Sequence, residues 1–315
     1  MNISLLAIRI GIDPDMIEVG TFQLTWHGFL TFVAVAVAVF LVARWGKQQG
    51  LNVDSVYSIA TWCIVGGIIG SRLLHVVDFW NDFYRHDPIR ILQIWSGGIT
   101  IYGAILGGFL SGAAYMVIRN HPRFLATWNK IFKGAKLEPA PLPSIGRLAD
   151  IATPALLIAM AIGRVGDVIN GEHVAKITDL PWGFVYTHPE SPSNLVHGFG
   201  ASHPAVVYEM LLDLAVLGAV VAMRDRLRPY GMTFALYLGL YSLGRFFISF
   251  LRTGPPPMDQ EWAIGLNEAQ FVAIAVMAVT IPLLAFKAQL VRVGGPRAAR
   301  RRAAASDRAD PGESG

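Results

Sequence analysis

Ala152-Thr153-Pro154-Ala155-Leu156-Leu157-Ile158-Ala159-Met160-Ala161-Ile162 runs without a charge into Gly163-Arg164-Val165-Gly166-Asp167-Val168-Ile169-Asn170-Gly171-Glu172-His173. The first part has the composition of a helix buried in hydrocarbon. The second sets a guanidinium at its edge, where a charge is costly and persists when an anion meets it. Arg164, Asp167 and Asn170 recur every third residue, which puts them on one helical face. The stretch therefore reads as a membrane helix whose far end carries polar chemistry. Arg72 and Arg245 sit in similar apolar settings. Three such arginines point to a site for a negatively charged molecule that arrives from the lipid.

The rest of the chain supports a membrane class. Hydrophobic residues make up 53% and charged residues 15%, against about a quarter charged in soluble proteins. Mean hydropathy is +0.46. Apolar runs long enough to span a bilayer recur near 26–43, 58–77, 98–118, 151–170, 204–223, 231–251 and 263–286. The expected fold is an all-α polytopic membrane protein of seven helices, and the alternating pattern of a membrane barrel is missing. Most of the 26 Lys and Arg cluster in loops 44–57, 119–150 and 224–230 and in the tail after 286. By the positive-inside rule the N-terminus is outside and the C-terminus cytoplasmic. That clustering also argues against a nucleic-acid partner, although the net charge is +4.

Residues 1–290 read as one transmembrane domain. Its outer loops 78–97 and 171–203, rich in aromatic and turn residues, are expected to form a cap. Residues 291–315 read as a disordered tail. Cys63 is the single cysteine, a buried thiol with no intrachain disulfide. The N-terminus lacks the order of a cleaved signal peptide. No internal repeat is evident, which weakens an inverted-repeat transporter fold.

Under this topology the polar intramembrane groups lean to the outer leaflet. They are Arg72, Tyr102, Arg164, Asp167, Asn170, Glu172, His173, His203, Tyr208, Glu209 and Arg245, with His27 in the same leaflet. A guanidinium fork matches phosphate with two bonds, which suits a phospholipid headgroup. Plainer readings stand beside this one. Arg164 with Asp167 forms an intrahelical pair, Arg72 snorkels to the interface, the tyrosines belong to an interfacial belt, and Gly66, Gly67, Gly70, Gly103, Gly107 and Gly108 pack helices. Arg245, the most deeply placed charge, is the hardest to dismiss. No His/Cys spacing suggests a metal, and no cofactor is implied.

The string from Gly163 to Glu172 resembles the signature of prolipoprotein diacylglyceryl transferases, approximately G-R-[IL]-G-N-F-x-N-G-E. Five further segments are similar to that family's motifs, in order. They are Thr25-Trp26-His27-Gly28, Gly66 to Arg72, Gly97 to Gly103, His203 to Glu209, and Gly244 to Arg252. Departures fall on polar positions. His27 stands for a Tyr, Asp167 for an Asn, Tyr102 for a frequent His, Ser249 for an acid, and Val206 for a Gln. A glycine usual soon after G-E is missing near Ala175.

The resemblance implies transfer of the diacylglyceryl group of phosphatidylglycerol to the lipobox cysteine of an exported preprolipoprotein, with release of glycerol phosphate. Arg164 and Arg245 would hold the phosphate, Arg245 on the leaving group. Arg72, Asp167, Asn170, Gly171, Glu172, His203, Tyr208 and Glu209 would bind the donor. The thiolate is the nucleophile. Tyr102 is a poor base, because a free phenol has a pKa of about 10. His27, an imidazole that titrates near neutrality, is the candidate base; alternatively the cationic field alone activates the thiol. A non-catalytic relative that binds anionic lipid, and a small-anion transporter, are the rival readings.

Overall fold

A computed structural model describes residues 7–20, 22–93, 97–98, 100–253 and 261–291. Among them seven helices are long and apolar enough to cross a membrane. In chain order the helices are α1 (Trp26–Gln48), α2 (Val53–Asp78), α3 (Ile101–Ile118), the short α4 (Pro122–Ile131), α5 (Ile145–Asn170), the short α6 (Pro192–His197), α7 (Ala205–Met223), α8 (Met232–Ile248) and α9 (Glu268–Lys287). The fourth span starts earlier than expected, at Ile145. Local chemistry sets several starts. Asn52 caps α2 by accepting from the Ser55 amide at 2.8 Å, and Asn267 with Gln270 forms a reciprocal capping box on α9. Residues 292–315, expected to be a disordered tail, lie outside the described residues.

The chain divides into two compact units, Met1–His27 with Asp167–Gly315, and Gly28–Gly166. In the second, α2 and α3 pack through their glycines. A Cβ placed on Gly66 would stand 2.6 Å from the Gly107 carbonyl oxygen, and one on Gly70 would stand 2.8 Å from the Gly107 Cα. The helix-packing reading of these glycines is therefore the correct one, since only hydrogen fits between backbones at that approach. After α3, Asn120 exchanges two hydrogen bonds with the Ala140 backbone and Asn129 two with Leu137. This folds the basic loop back along α4.

The first unit carries short strands as well as helices. They are β1 (Ile8–Ile10), β2 (Asp15–Val19), β3 (Phe22–Thr25) and β4 (Phe184–Tyr186). β1 runs parallel to β4, and β2 pairs antiparallel with β3. Segment 174–203 also crosses to the end of α8. The Thr253 amide donates to the Val174 carbonyl at 2.9 Å and the Lys176 amide to the Leu251 carbonyl at 2.8 Å. The expected loop 171–203 is thus an ordered layer of strand and short helix, tied by backbone bonds to its own unit.

Candidate active site

α5 ends at a glycine because the next step is left-handed. Gly171 has φ +74°, and the amides of Gly171 and Glu172 both donate to the Asp167 carbonyl, at 3.0 and 3.1 Å. A Cβ there would meet Ser191 Oγ and the Tyr186 ring. Glycine at the residue after a helix is the usual solution to this geometry. Serines complete the end. Ser191 Oγ donates to the Asn170 carbonyl at 3.0 Å and Ser193 Oγ to the Gly171 carbonyl at 2.7 Å. Asn170 Nδ2 donates to Glu172 Oε1 at 3.0 Å.

This ending places Asp167 in a buried position with an imidazole at each oxygen. His27 Nδ1 lies 2.5 Å from Oδ1, and His173 Nε2 lies 3.1 Å from Oδ2. Glu172 Oε2 is 3.7 Å from His27 Nδ1. The three acidic and imidazole groups His27, Asp167 and Glu172 have ligand atoms within 4.8 Å of one another. They have the reach to hold a cation, but their contacts with one another are those of a hydrogen-bonded network. Beside them Tyr186 donates its hydroxyl to the Val168 carbonyl at 2.8 Å. Burial, then the charge of Asp167, pushes the Tyr186 phenol well above its ordinary range.

The network continues through the end of α8. Arg252 Nη2 is 2.6 Å from His173 Nδ1, and Arg252 Nη1 is 3.1 Å from Glu209 Oε1. Arg245 Nη1 donates to the same Glu209 oxygen. Glu209, in the first turns of α7, is fully buried. A buried carboxylate shared by two guanidiniums fixes both. Ser249 Oγ donates to the Arg245 carbonyl at 2.8 Å, so the carboxylate partner of Arg245 comes from α7 rather than from four residues on. Tyr208 accepts from Trp182 Nε1 at 2.9 Å. His203 Nδ1 is buried with no hydrogen-bond partner among the described residues. The enclosed cavity beside His203, Glu172 and His173 holds only about 10 Å³, room for no more than a water.

His27, Asp167, Asn170, Gly171, Glu172, His203, Tyr208, Glu209 and Arg245 therefore all belong to the first unit. Tyr102, in the first turn of α3, and Arg164, two turns before the end of α5, belong to the second, as does Arg72. Arg72 requires a correction. Its Nε donates to the Ile91 carbonyl, its Nη1 to Gly97 and Gly98, and its Nη2 to Arg90 and Gln93. A guanidinium has five N–H donors, and all five are spent on the backbone of its own loop. Arg72 is a loop clamp and is no longer a candidate for binding phosphate. Arg245 lies in the last turn of α8. The most embedded acid the sequence reading passed over is Asp213, fully buried one turn beyond Glu209 on α7.

Two members of the network were not singled out from sequence. Arg252 closes the last family-like segment, seven residues after Arg245, and was given no role of its own. His173 was noted but given no role. Its signal is the backbone, since it is a non-glycine residue at φ +58°, a conformation held against preference at functional sites.

A family model described as prolipoprotein diacylglyceryl transferase matches residues 14–286. A relative from Nostoc sp. is 32% identical over 280 residues, 87% of this chain and 88% of the relative. One from Trichormus variabilis is 32% identical over 247 residues, 76% and 79% of the two chains. One from Symbiobacterium thermophilum is 31% identical over 280 residues, 87% and 92%. All three are named phosphatidylglycerol–prolipoprotein diacylglyceryl transferase.

Proposed function

Because the chain belongs to the prolipoprotein diacylglyceryl transferase family, we propose that it transfers the diacylglyceryl group of phosphatidylglycerol to the lipobox cysteine of an exported preprolipoprotein. The single observation that carries the chemistry is the chain His27–Asp167–His173–Arg252–Glu209–Arg245. It joins a proton acceptor to a guanidinium through contacts that leave little room for reorganisation.

The thiol gives its proton to His27. The thiolate sulfur attacks the glycerol carbon that bears the phosphate, and a carbon–sulfur bond forms. The carbon–oxygen bond breaks, and its electron pair leaves on the oxygen of glycerol phosphate. Negative charge grows on that phosphate, and Arg245 neutralises it. Preorganised donors aimed at a developing anion are usually the largest catalytic contribution. Asn170, Glu172 and Tyr208 order the headgroup, and Gly171 admits the turn that presents them. His203 is assigned to the headgroup in this reading. Glu209 holds Arg245 and Arg252, so its part is positioning.

Residues 1–290 form the transferase domain in this reading, lying in the inner membrane with the cap outside, an orientation that the charge asymmetry of the loops supports. Purified protein, phosphatidylglycerol labelled in an acyl chain, and a lipobox peptide should yield a labelled thioether peptide and one glycerol phosphate per transfer. Arg245→Ala should abolish the product, and Tyr102→Phe should lower it less. Lipid binding without thioether formation would overturn the transferase reading.

A further inference from the structure

The hydrogen-bonded chain has a direction, and the direction is set at its arginine end. A guanidinium offers donors only. Where Arg252 Nη2 lies 2.6 Å from His173 Nδ1, Nδ1 must accept, so the ring proton of His173 sits on Nε2. That nitrogen faces Asp167 Oδ2 at 3.1 Å and donates to it. Asp167 is an acceptor at both oxygens, so His27 Nδ1, 2.5 Å from Oδ1, carries the proton there. The lone pair of His27 is then on Nε2. Which nitrogen of a histidine is protonated follows from the partner of the other.

We propose that His173, held by Arg252, is a positioning residue that sets the tautomer of the His27–Asp167 pair and so leaves His27 Nε2 as the nitrogen that takes the substrate thiol's proton. Nothing in the family signature asks for this pair. Where the family pattern has a Tyr and an Asn, this chain has His27 and Asp167, and the two departures touch. A neutral phenol and amide are replaced by an imidazole and a carboxylate, the combination that orients a general base.

The backbone supports the assignment independently. His173 is in the left-handed region at φ +58°, and the flanking ladder pins both ends of its contact. Thr253 donates to Val174 and Lys176 donates to Leu251, which sets Ala175 opposite Arg252. Arg252 is further fixed by Glu209 at 3.1 Å. In the reaction the thiol S–H proton moves to His27 Nε2. The imidazolium keeps its Nδ1 proton on Asp167, and the Nε2 proton passes to the released phosphate or to water. The proposal rests on the transfer reading for its consequence but not for its geometry.

The test uses the full chain in lipid nanodiscs. His173→Gln keeps an acceptor for Arg252 and a donor for Asp167 at about the ring's nitrogen spacing, whereas His173→Ala removes both. We expect kcat within about threefold of the parent for His173→Gln and a loss on the order of 10²-fold for His173→Ala, the span of a misplaced general base. KM for phosphatidylglycerol should stay within about twofold in both. Nitrogen-15 spectra of histidine-labelled parent protein, assigned with the single variants, should show His173 protonated on Nε2 and His27 on Nδ1. Parent-like kcat for His173→Ala overturns the proposal, as does equal loss for Gln and Ala, or a His27 protonated on Nε2. If the parent forms no thioether, the transfer reading fails. The nitrogen spectra then still decide the tautomer, and they decide it also if the Ala variant does not fold.

Discussion

Replacing Glu209 with Ala removes the carboxylate that Arg245 and Arg252 share. The side chain is fully buried, and the two guanidinium side chains are only 16% and 10% exposed. At about 4 Å and an effective dielectric of 20, each attraction is worth roughly 4 kcal/mol before desolvation. The net quantity is smaller, because the charges were already costly to bury. Breaking a buried pair by removing one partner usually costs about 3–5 kcal/mol, and here one deletion takes the shared carboxylate from two cations. Glu209→Ala should therefore lose at least about 3 kcal/mol. Glu209→Gln keeps an amide oxygen that still accepts from both arginines, so its loss should be about half as large. Reversible unfolding in mixed detergent micelles measures both. Transfer separates the roles further. Glu209→Gln should keep KM for phosphatidylglycerol and lower kcat, since Arg245 is still present but less well fixed. A Glu209→Ala protein as stable as the parent would refute the claim that this carboxylate holds the arginines.

Arg72→Gln should destabilise the second unit by a few kcal/mol, because most of the five hydrogen bonds of a buried guanidinium are lost at about 1 kcal/mol each; a folded variant with only a raised KM for lipid would restore Arg72 to the binding site. Gly107→Ala puts a carbon 2.8 Å from the Gly70 Cα, where ordinary contact is about 3.5–4.0 Å. The helices must part by about 1 Å, at roughly 1–3 kcal/mol. Gly218→Ala, where an added Cβ meets nothing within 4 Å, is the matched control in the same unfolding assay and should be neutral or stabilising. Tyr186 has its folded pKa raised. It therefore adds stability that is full below the unfolded value of about 10 and is lost as pH rises from there toward the folded value. Tyr186→Phe should lose about 1 kcal/mol at neutral pH with its hydrogen bond and show a flatter stability curve above pH 10, read by the same unfolding at stepped pH.

What the sequence could show was set by period and composition. Seven apolar runs specify seven helices because hydrocarbon leaves the backbone no other partner, and the structure has those helices. The fourth span was underestimated because Arg147 and Asp150 look like loop residues, yet α5 begins before both. The strands of the first unit were invisible. β1 and β4 are three residues each and lie about 170 positions apart, so no local period marks them. Arg72 was misjudged for a related reason. Its five acceptors are carbonyls of residues 18 to 26 positions away, and backbone atoms leave no trace in residue identity. The same limit hid His173, whose meaning lies in a dihedral angle and in a guanidinium 79 positions along the chain.

The departures from the family pattern are better judged in pairs than singly. Taken alone, Ser249 is a lost acid and Asp167 a gained one, and each weakens the case for catalysis. In the structure the carboxylate on Arg245 comes from Glu209, and Ser249 closes a helical turn by donating to the Arg245 carbonyl. Asp167 meets His27, which is itself a departure. A chain that had drifted free of its chemistry would lose polar groups independently. It would leave imidazoles facing imidazoles and buried charges facing hydrocarbon, each at a cost of several kcal/mol. Here two changes at positions 140 residues apart in sequence form one complementary contact. An ionisable pair of that kind at the membrane edge is costly to keep and easy to lose. Its imidazole and carboxylate satisfy each other, the carboxylate in a buried position, which is what the proton-transfer reading requires of the two residues.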